Sequence, residues 1–157
     1  MAFGERPSGK LSSLVVKSGD RGALVAGPNG HIYYALPYPY EIREYTPEGR
    51  LVRTLRRKVP YFRPPRQEKW TVHPLSGCRA LAVLPDGTAL VLIWGEKEGQ
   101  WLDVWRPDGS FGGSFRIDEL GLSQIRRMTS DTRGHLFVDR WDPPAVLEYE
   151  VRFEERQ

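Results

Sequence analysis

Apolar positions along the chain come in short bursts separated by glycine, proline and Asn/Asp, and the bursts are rich in β-branched and aromatic residues. Ile32-Tyr33-Tyr34, Ala89-Leu90-Val91 and Leu136-Phe137-Val138 are too short for helices that bury a face, and they predict strands. Each burst follows a turn that ends in glycine. Gly27-Pro28-Asn29-Gly30, Leu84-Pro85-Asp86-Gly87 and Ser130-Asp131-Thr132-Arg133-Gly134 stand at matching places. A tight hairpin needs a residue that tolerates positive φ before the chain returns, and glycine supplies it.

A second motif follows the first two turns. Ile42-Arg43-Glu44-Tyr45-Thr46-Pro47-Glu48-Gly49-Arg50-Leu51 aligns with Leu102-Asp103-Val104-Trp105-Arg106-Pro107-Asp108-Gly109-Ser110-Phe111. An apolar residue, an aromatic and Pro-acid-Gly recur at identical offsets through the turn and both flanking strands. The repeating unit is therefore a meander of four antiparallel strands, which is the building block of a propeller blade. The pattern predicts an all-β chain with blades over residues 23–55, 79–115 and 128–153. In the third, Val146-Leu147-Glu148-Tyr149 supplies a third strand, but the Pro-acid-Gly turn and a fourth strand do not follow. Ala2-Phe3-Gly4 is similar to the end of a fourth strand.

The turn-Gly-(Ile/Leu)-(Tyr/Phe) and aromatic-x-Pro-(Asp/Glu)-Gly pattern resembles bacterial six-bladed β-propellers with NHL-type repeats. That family often carries Val-Ala-Asp after the first turn, and the nearest match here is Val138-Asp139. The resemblance implies a rigid ring that binds proteins or other ligands, although some members are hydrolases or lyases. Three blades do not close a ring, and repeat units bury their faces against neighbours. Two expectations fit: a homodimer completing six blades, with Ile32, Tyr34, Leu136 and Val138 among the side chains at the seam, or a piece of a longer propeller.

Composition narrows the function classes. Basic residues number 23 against 20 acidic ones in 157, a net charge of +3, which is too even to announce nucleic-acid binding. No apolar stretch approaches the ~18 residues needed to cross a bilayer. The start at Met1 carries no signal-peptide hydrophobic region, so the expectation is a cytoplasmic chain if Met1 is the natural start. The single cysteine, Cys78, forms no intrachain disulfide. His31 and His135 follow equivalent turn glycines, a structural recurrence, and His73 has no partner in ligand spacing, so no metal or cofactor is expected. Gly4-Glu5-Arg6-Pro7-Ser8-Gly9-Lys10-Leu11 lacks the hydroxyl that a phosphate-binding loop requires after its lysine. No nucleophile elbow or zinc-protease helix occurs, and the expected role is a non-catalytic binding or assembly module.

Long connections gather at one end of the blades, where binding commonly resides. The link of residues 56–77 interleaves Arg56, Arg57, Arg63 and Arg66 with Tyr61 and other aromatics. Two readings fit it: arginine forks and rings that hold an anionic or planar small molecule, or a solvated loop whose rings tuck against the first two blades. Tyr38 and Tyr40, stiffened by prolines, either face a ligand or protein partner or cap their blade. Trp141 lies on the same end, and the ligand-binding candidates are Tyr38, Tyr40, Arg56, Arg57, Tyr61, Arg63, Arg66 and Trp141.

Overall fold

The computed structural model describes residues 22–68, 71–73 and 75–153. Strands β1 (Ala23–Ala26), β2 (Ile32–Ala35), β3 (Ile42–Tyr45) and β4 (Leu51–Leu55) form the first sheet. A two-stranded ribbon follows, β5 (Arg66–Glu68) with β6 (Thr71–His73), inside the link of residues 56–77. The second sheet comprises β7 (Ser76–Val83), β8 (Ala89–Gly95), β9 (Gly99–Trp105) and β10 (Phe111–Arg116). The third comprises β11 (Ile125–Ser130), β12 (His135–Arg140) and β13 (Ala145–Glu150). Every sheet is antiparallel with its strands in chain order, so the architecture is all-β. No helix among the described residues is long and apolar enough to cross a membrane. Ala2-Phe3-Gly4, Lys69 and Trp70 lie outside the described residues.

The repeated sequence makes repeated turns. In the second sheet Leu84 N–H donates to Thr88 O and Gly87 N–H to Leu84 O, and in the third Asp131 N–H donates to His135 O and Gly134 N–H to Asp131 O. Gly87 and Gly134 take φ of 90° and 92°, where a Cβ is costly, so the glycine is required by the backbone. The Pro-acid-Gly turns match as closely, with Thr46/Gly49 and Arg106/Gly109 making the same bonds and Gly49 and Gly109 at 87° and 86°.

The second and third sheets begin three residues earlier than the alternation of apolar positions suggests. Each first strand contains a bulge, between Cys78 and Ala80 in β7 and between Ile125 and Arg127 in β11. The extra residue, Arg79 or Arg126, breaks the period of two on which strand patterns rest.

The second sheet is buried on both faces. Leu81, Ala89, Val91, Ile93 and Trp105 pack with Tyr33, Ala35, Ile42 and Leu55 of the first sheet. Ala80, Leu90, Leu92, Leu102 and Val104 pack with Ile125, Met128, Leu136 and Val138 of the third. This two-sided burial explains why β8 is an unbroken apolar run and does not alternate. Leu136 and Val138 therefore belong to the chain's own core and not to an outer seam. The outward residue between them is Phe137, because alternate side chains of a strand face opposite ways.

The two outer faces differ in character. Register puts Leu24, Tyr34, Arg43 and Thr54 on one rung of the first sheet's far face, and Ala26, Ile32, Tyr45 and Leu51 on the next. Leu24 and Leu51 are 65% and 56% exposed. The third sheet's far face carries Arg127, Asp139 and Val146, then Thr129, Phe137 and Glu148. That face is mostly polar.

If burial between two neighbours dominates stability, Leu92→Ala costs about 2–5 kcal/mol, because it leaves a cavity in a wall packed on both sides. Val146→Ala on the exposed face stays within about 0.5 kcal/mol. Urea denaturation of the two variants measures both.

Candidate functional site

The arginines of the link are largely bound to the protein itself. Arg57 makes a fork to Asp103, with Nε and Nη2 donating to its two carboxylate oxygens at 2.6 and 2.7 Å. Ser114 Oγ donates to the same carboxylate at 2.6 Å. Asp103 is completely buried, so the fork replaces the water its charge loses. The Arg57 guanidinium also lies 4.7 Å from the Phe111 ring centroid and 5.5 Å from that of Tyr40. Burial works to lower the Arg57 pKa, but the bonds to Asp103 outweigh it and keep the group charged.

Tyr40 is an interior residue. Its hydroxyl accepts a hydrogen bond from Trp105 Nε1 at 2.8 Å, and burial followed by the nearby Asp103 charge pushes its pKa far up. Tyr38 stacks on Phe62 at 5.8 Å, and Tyr61 lies 6.1 Å from Trp101. Burial, with Asp103 second, raises the Tyr61 pKa as well. Arg56 donates to Glu41 at 2.8 Å and Arg63 to Glu98 at 3.3 Å. Arg66 is exposed on β5. The link thus brackets the first sheet to the second, and the rings and forks of Tyr40, Arg57 and Tyr61 are turned inward.

Trp141 stands elsewhere, in a cleft of about 510 Å³ between the second and third sheets. The cleft joins two equivalent pairs. The Arg79 guanidinium lies 5.6 Å from the Trp94 ring, and that of Arg126 lies 5.3 Å from Trp141. In both copies the arginine precedes the turn glycine by eight residues and the tryptophan follows it by seven. The arginine is the bulge residue of the first strand in each sheet. The equivalent positions in the first sheet are Gly22 and Pro37. A Cβ at Gly22 would stand 2.2 Å from Ala35 O and 3.0 Å from Pro37 Cδ, so that sheet has no room for a third pair.

Gln100 fixes the two walls to each other. Its side chain donates to Ile125 O at 2.7 Å and accepts from Ile125 N–H at 2.9 Å, which mimics a strand pairing across the sheets. The two arginines differ in one respect. Asp139 accepts from Arg126, with Nε at 2.8 Å and Nη2 at 2.7 Å, whereas Arg79 has no carboxylate partner among the described residues. Indole faces beside guanidinium groups suit a ligand that is planar and negatively charged. Sequence reasoning singled out Trp141 but not Trp94, Arg79 or Arg126, which line the same cleft. The identical offsets from the turn glycine were the available signal, and the bulges masked it by interrupting the strand pattern.

The histidine recurrence has a structural basis. His31 Nδ1 lies 2.7 Å from Glu44 Oε1 and His135 Nδ1 lies 2.9 Å from Glu148 Oε1, on the same diagonal of two meanders. Glu44 also accepts from Arg53. Among the described residues no three His, Cys, Asp or Glu side chains gather closely enough to hold a metal. Asp103 and Asp139 are each taken by an arginine, Arg57 and Arg126.

Two outcomes follow from these networks. Arg57→Ala leaves the buried Asp103 charge without its fork and lowers stability by about 3–5 kcal/mol. Arg56→Ala, at a side chain 67% exposed, costs about 0–1 kcal/mol in the same urea experiment. The second outcome concerns pH. Burial raises the Glu44 pKa, but hydrogen bonds from His31, Tyr33 and Arg53 outweigh it and hold the group below its ordinary 4.5. A lowered folded-state value means a stabilising contribution that is complete above the unfolded pKa and lost as pH falls through the folded one. Glu44→Gln therefore flattens the drop in urea midpoint on acidification below about pH 5. An equally steep drop in that variant contradicts the assignment.

No family model matches this chain, and no curated protein matches it. Among solved structures it is similar to a protein of unknown function from Bacteroides caccae, with 14% identity and a TM-score of 0.44. The match covers 83% of this chain and 46% of the other, so the chain spans less than half the length of that relative.

Proposed function

We propose that this chain is a non-catalytic binding module built as part of a β-propeller, and that it takes a planar anionic ligand in the cleft between the second and third sheets. The observation that carries the ligand reading is the duplicated pair, Arg79 with Trp94 and Arg126 with Trp141, opening on one cleft. A single exposed tryptophan beside an arginine is common. Two pairs at identical repeat positions on adjacent sheets line one cleft, whose walls Gln100 and the shared core hold together.

The propeller reading rests on three meanders with matching turns, stacked so that each packs its face on the next. Propellers with 4–8 blades close a ring, and a second copy of this chain supplies three more in the proposed assembly. The first sheet's far face is apolar at Leu24, Ile32 and Leu51. The third sheet's far face offers Phe137 and Val146 where Tyr33 and Ile42 of the first sheet meet the second. These pairings support a head-to-tail contact in which the third sheet of one copy covers the first sheet of the other. Light scattering after size exclusion is then expected to give twice 18.0 kDa, and Leu24→Asp to give 18.0 kDa. A folded wild-type monomer at micromolar concentration defeats the closed ring and leaves the cleft reading intact.

For the cleft, 2-naphthoate serves as a probe in isothermal titration. Stacking and cation–π contacts of about 1–2 kcal/mol make Trp94→Ala and Trp141→Ala each weaken binding roughly 5–30-fold. Tyr38→Ala, which removes a ring stacked on Phe62 outside the cleft, leaves affinity unchanged. Equal binding by wild type and both tryptophan variants rules the cleft out.

A further inference from the structure

Asn29 is the only asparagine in the sequence, and glycine follows it. Both residues are exposed at the tip of the turn between β1 and β2. Two other turns place an acidic residue before glycine, Asp86-Gly87 and Asp108-Gly109, and Asp86 and Asp108 are exposed as well. In each of the three, the glycine nitrogen can close a five-membered ring on the preceding side-chain carbonyl carbon, and a glycine has no side chain to hinder the approach. Exposure therefore does not tell these turns apart, and the tethering of the side chain does. Asp86 Oδ1 accepts from Thr88 N–H at 2.8 Å and its Oδ2 from Thr88 Oγ1 at 2.9 Å. Asp108 Oδ1 accepts from Ser110 N–H at 2.8 Å. The Asn29 carboxamide makes no hydrogen bond among the described residues.

The backbone differs in the same sense. Asn29 takes φ 58° and ψ 23° and Gly30 follows at φ 73°, two consecutive left-handed residues, whereas in the other two turns only the glycine is left-handed. A residue with a Cβ resists that conformation, and asparagine tolerates it better than most. The turn is closed by Gly27 N–H donating to His31 O at 2.8 Å and His31 N–H to Pro28 O at 3.2 Å. Bonds at an exposed hairpin tip open locally without disturbing the core, and opening lets Asn29 leave its left-handed conformation for one in which the Gly30 nitrogen reaches Cγ. A neutral carboxamide is also the better electrophile, because attack on a carboxylate must build up charge on a group that is already an anion.

We infer that Asn29 is a site of spontaneous deamidation in the folded chain, and that Asp86 and Asp108 are held back from the parallel isomerisation. The Gly30 nitrogen gives its proton to solvent base and bonds to Asn29 Cγ, and Nδ2 leaves as ammonia. Water then opens the succinimide at either carbonyl, which yields aspartate or isoaspartate with no oxidant or cofactor consumed. Either product lowers the net charge of +3 by one unit, and isoaspartate inserts a methylene into the main chain where the turn sets Gly27 opposite His31. The test incubates the full chain in mildly alkaline buffer, follows it by isoelectric focusing, and locates isoaspartate by enzymatic methyl labelling and peptide mapping. An acidic species grows with time and carries its label at residue 29, with about tenfold less at residues 86 and 108, the worth of a hydrogen bond that must break first. In urea, where those bonds are lost, residues 86 and 108 gain label. Asn29→Gln, whose longer side chain needs a six-membered ring, yields no acidic species. Label at residue 86 or 108 equal to that at residue 29 in the folded chain overturns the inference, as does an acidic species that persists in Asn29→Gln. An Asn29 that reacts in urea but stays intact in the folded chain overturns it too, and that mapping is made on the wild-type chain alone.

Discussion

A β-sheet with two apolar faces needs a neighbour on each side, and the second sheet of this chain is such a sheet. Val91, Leu92 and Ile93 of β8 are wholly buried, the odd positions against the first sheet and the even one against the third. Neither outer sheet can leave without stripping one of these faces, which ties three otherwise local meanders into one cooperative body. The position of every other feature depends on this wall. Val59, Tyr61 and Phe62 of the link pack against one of its sides, and the Arg–Trp cleft opens at the end of the other.

Charge is distributed according to the same wall. Between the first and second sheets the arginines are neutralised, Arg57 by Asp103 and Arg53 by Glu44, while Glu41 takes both Arg56 and Arg43. These pairs hold the bracket in register, since a buried charge without its partner is expensive. Between the second and third sheets the buried core is apolar, and the arginines sit at its solvent edge on strand bulges. There Arg79 has no acidic partner among the described residues, whereas Arg126 is held by Asp139. Cations whose charge is cancelled locally serve the fold, and those left uncancelled at a concave edge are available to a ligand.

The turns were legible in the sequence because Gly87, Gly134, Gly49 and Gly109 adopt a backbone conformation that other residues resist, and that requirement leaves its mark at each repeat. The sheet order was legible for the same reason, since short meanders follow directly from turn spacing. Long-range pairing was not. Arg57 and Asp103 stand 46 residues apart, and nothing local distinguishes a guanidinium destined for a buried carboxylate from one in water. Face assignment failed at Leu136 and Val138 because counting along a strand fixes which residues share a face, but not which face meets a neighbour. The bulges at Arg79 and Arg126 shifted the count again, concealing the two residues that, with their tryptophans, build the cleft.

The central claim is that ligands meet the chain at these two indoles and not at the aromatic bracket, and the indole N–H groups report on it separately. Trp105 Nε1 donates to the Tyr40 hydroxyl and Trp101 Nε1 to Glu98 O, both on the bracket side. Trp94 and Trp141 line the cleft. In a 15N-correlated NMR titration with 2-naphthoate, assigned by single tryptophan substitutions, the account predicts that the indole signals of Trp94 and Trp141 move together while those of Trp101 and Trp105 stay in place. Movement of Trp101 and Trp105 with Trp94 and Trp141 unperturbed would contradict it and put the binding face on the link.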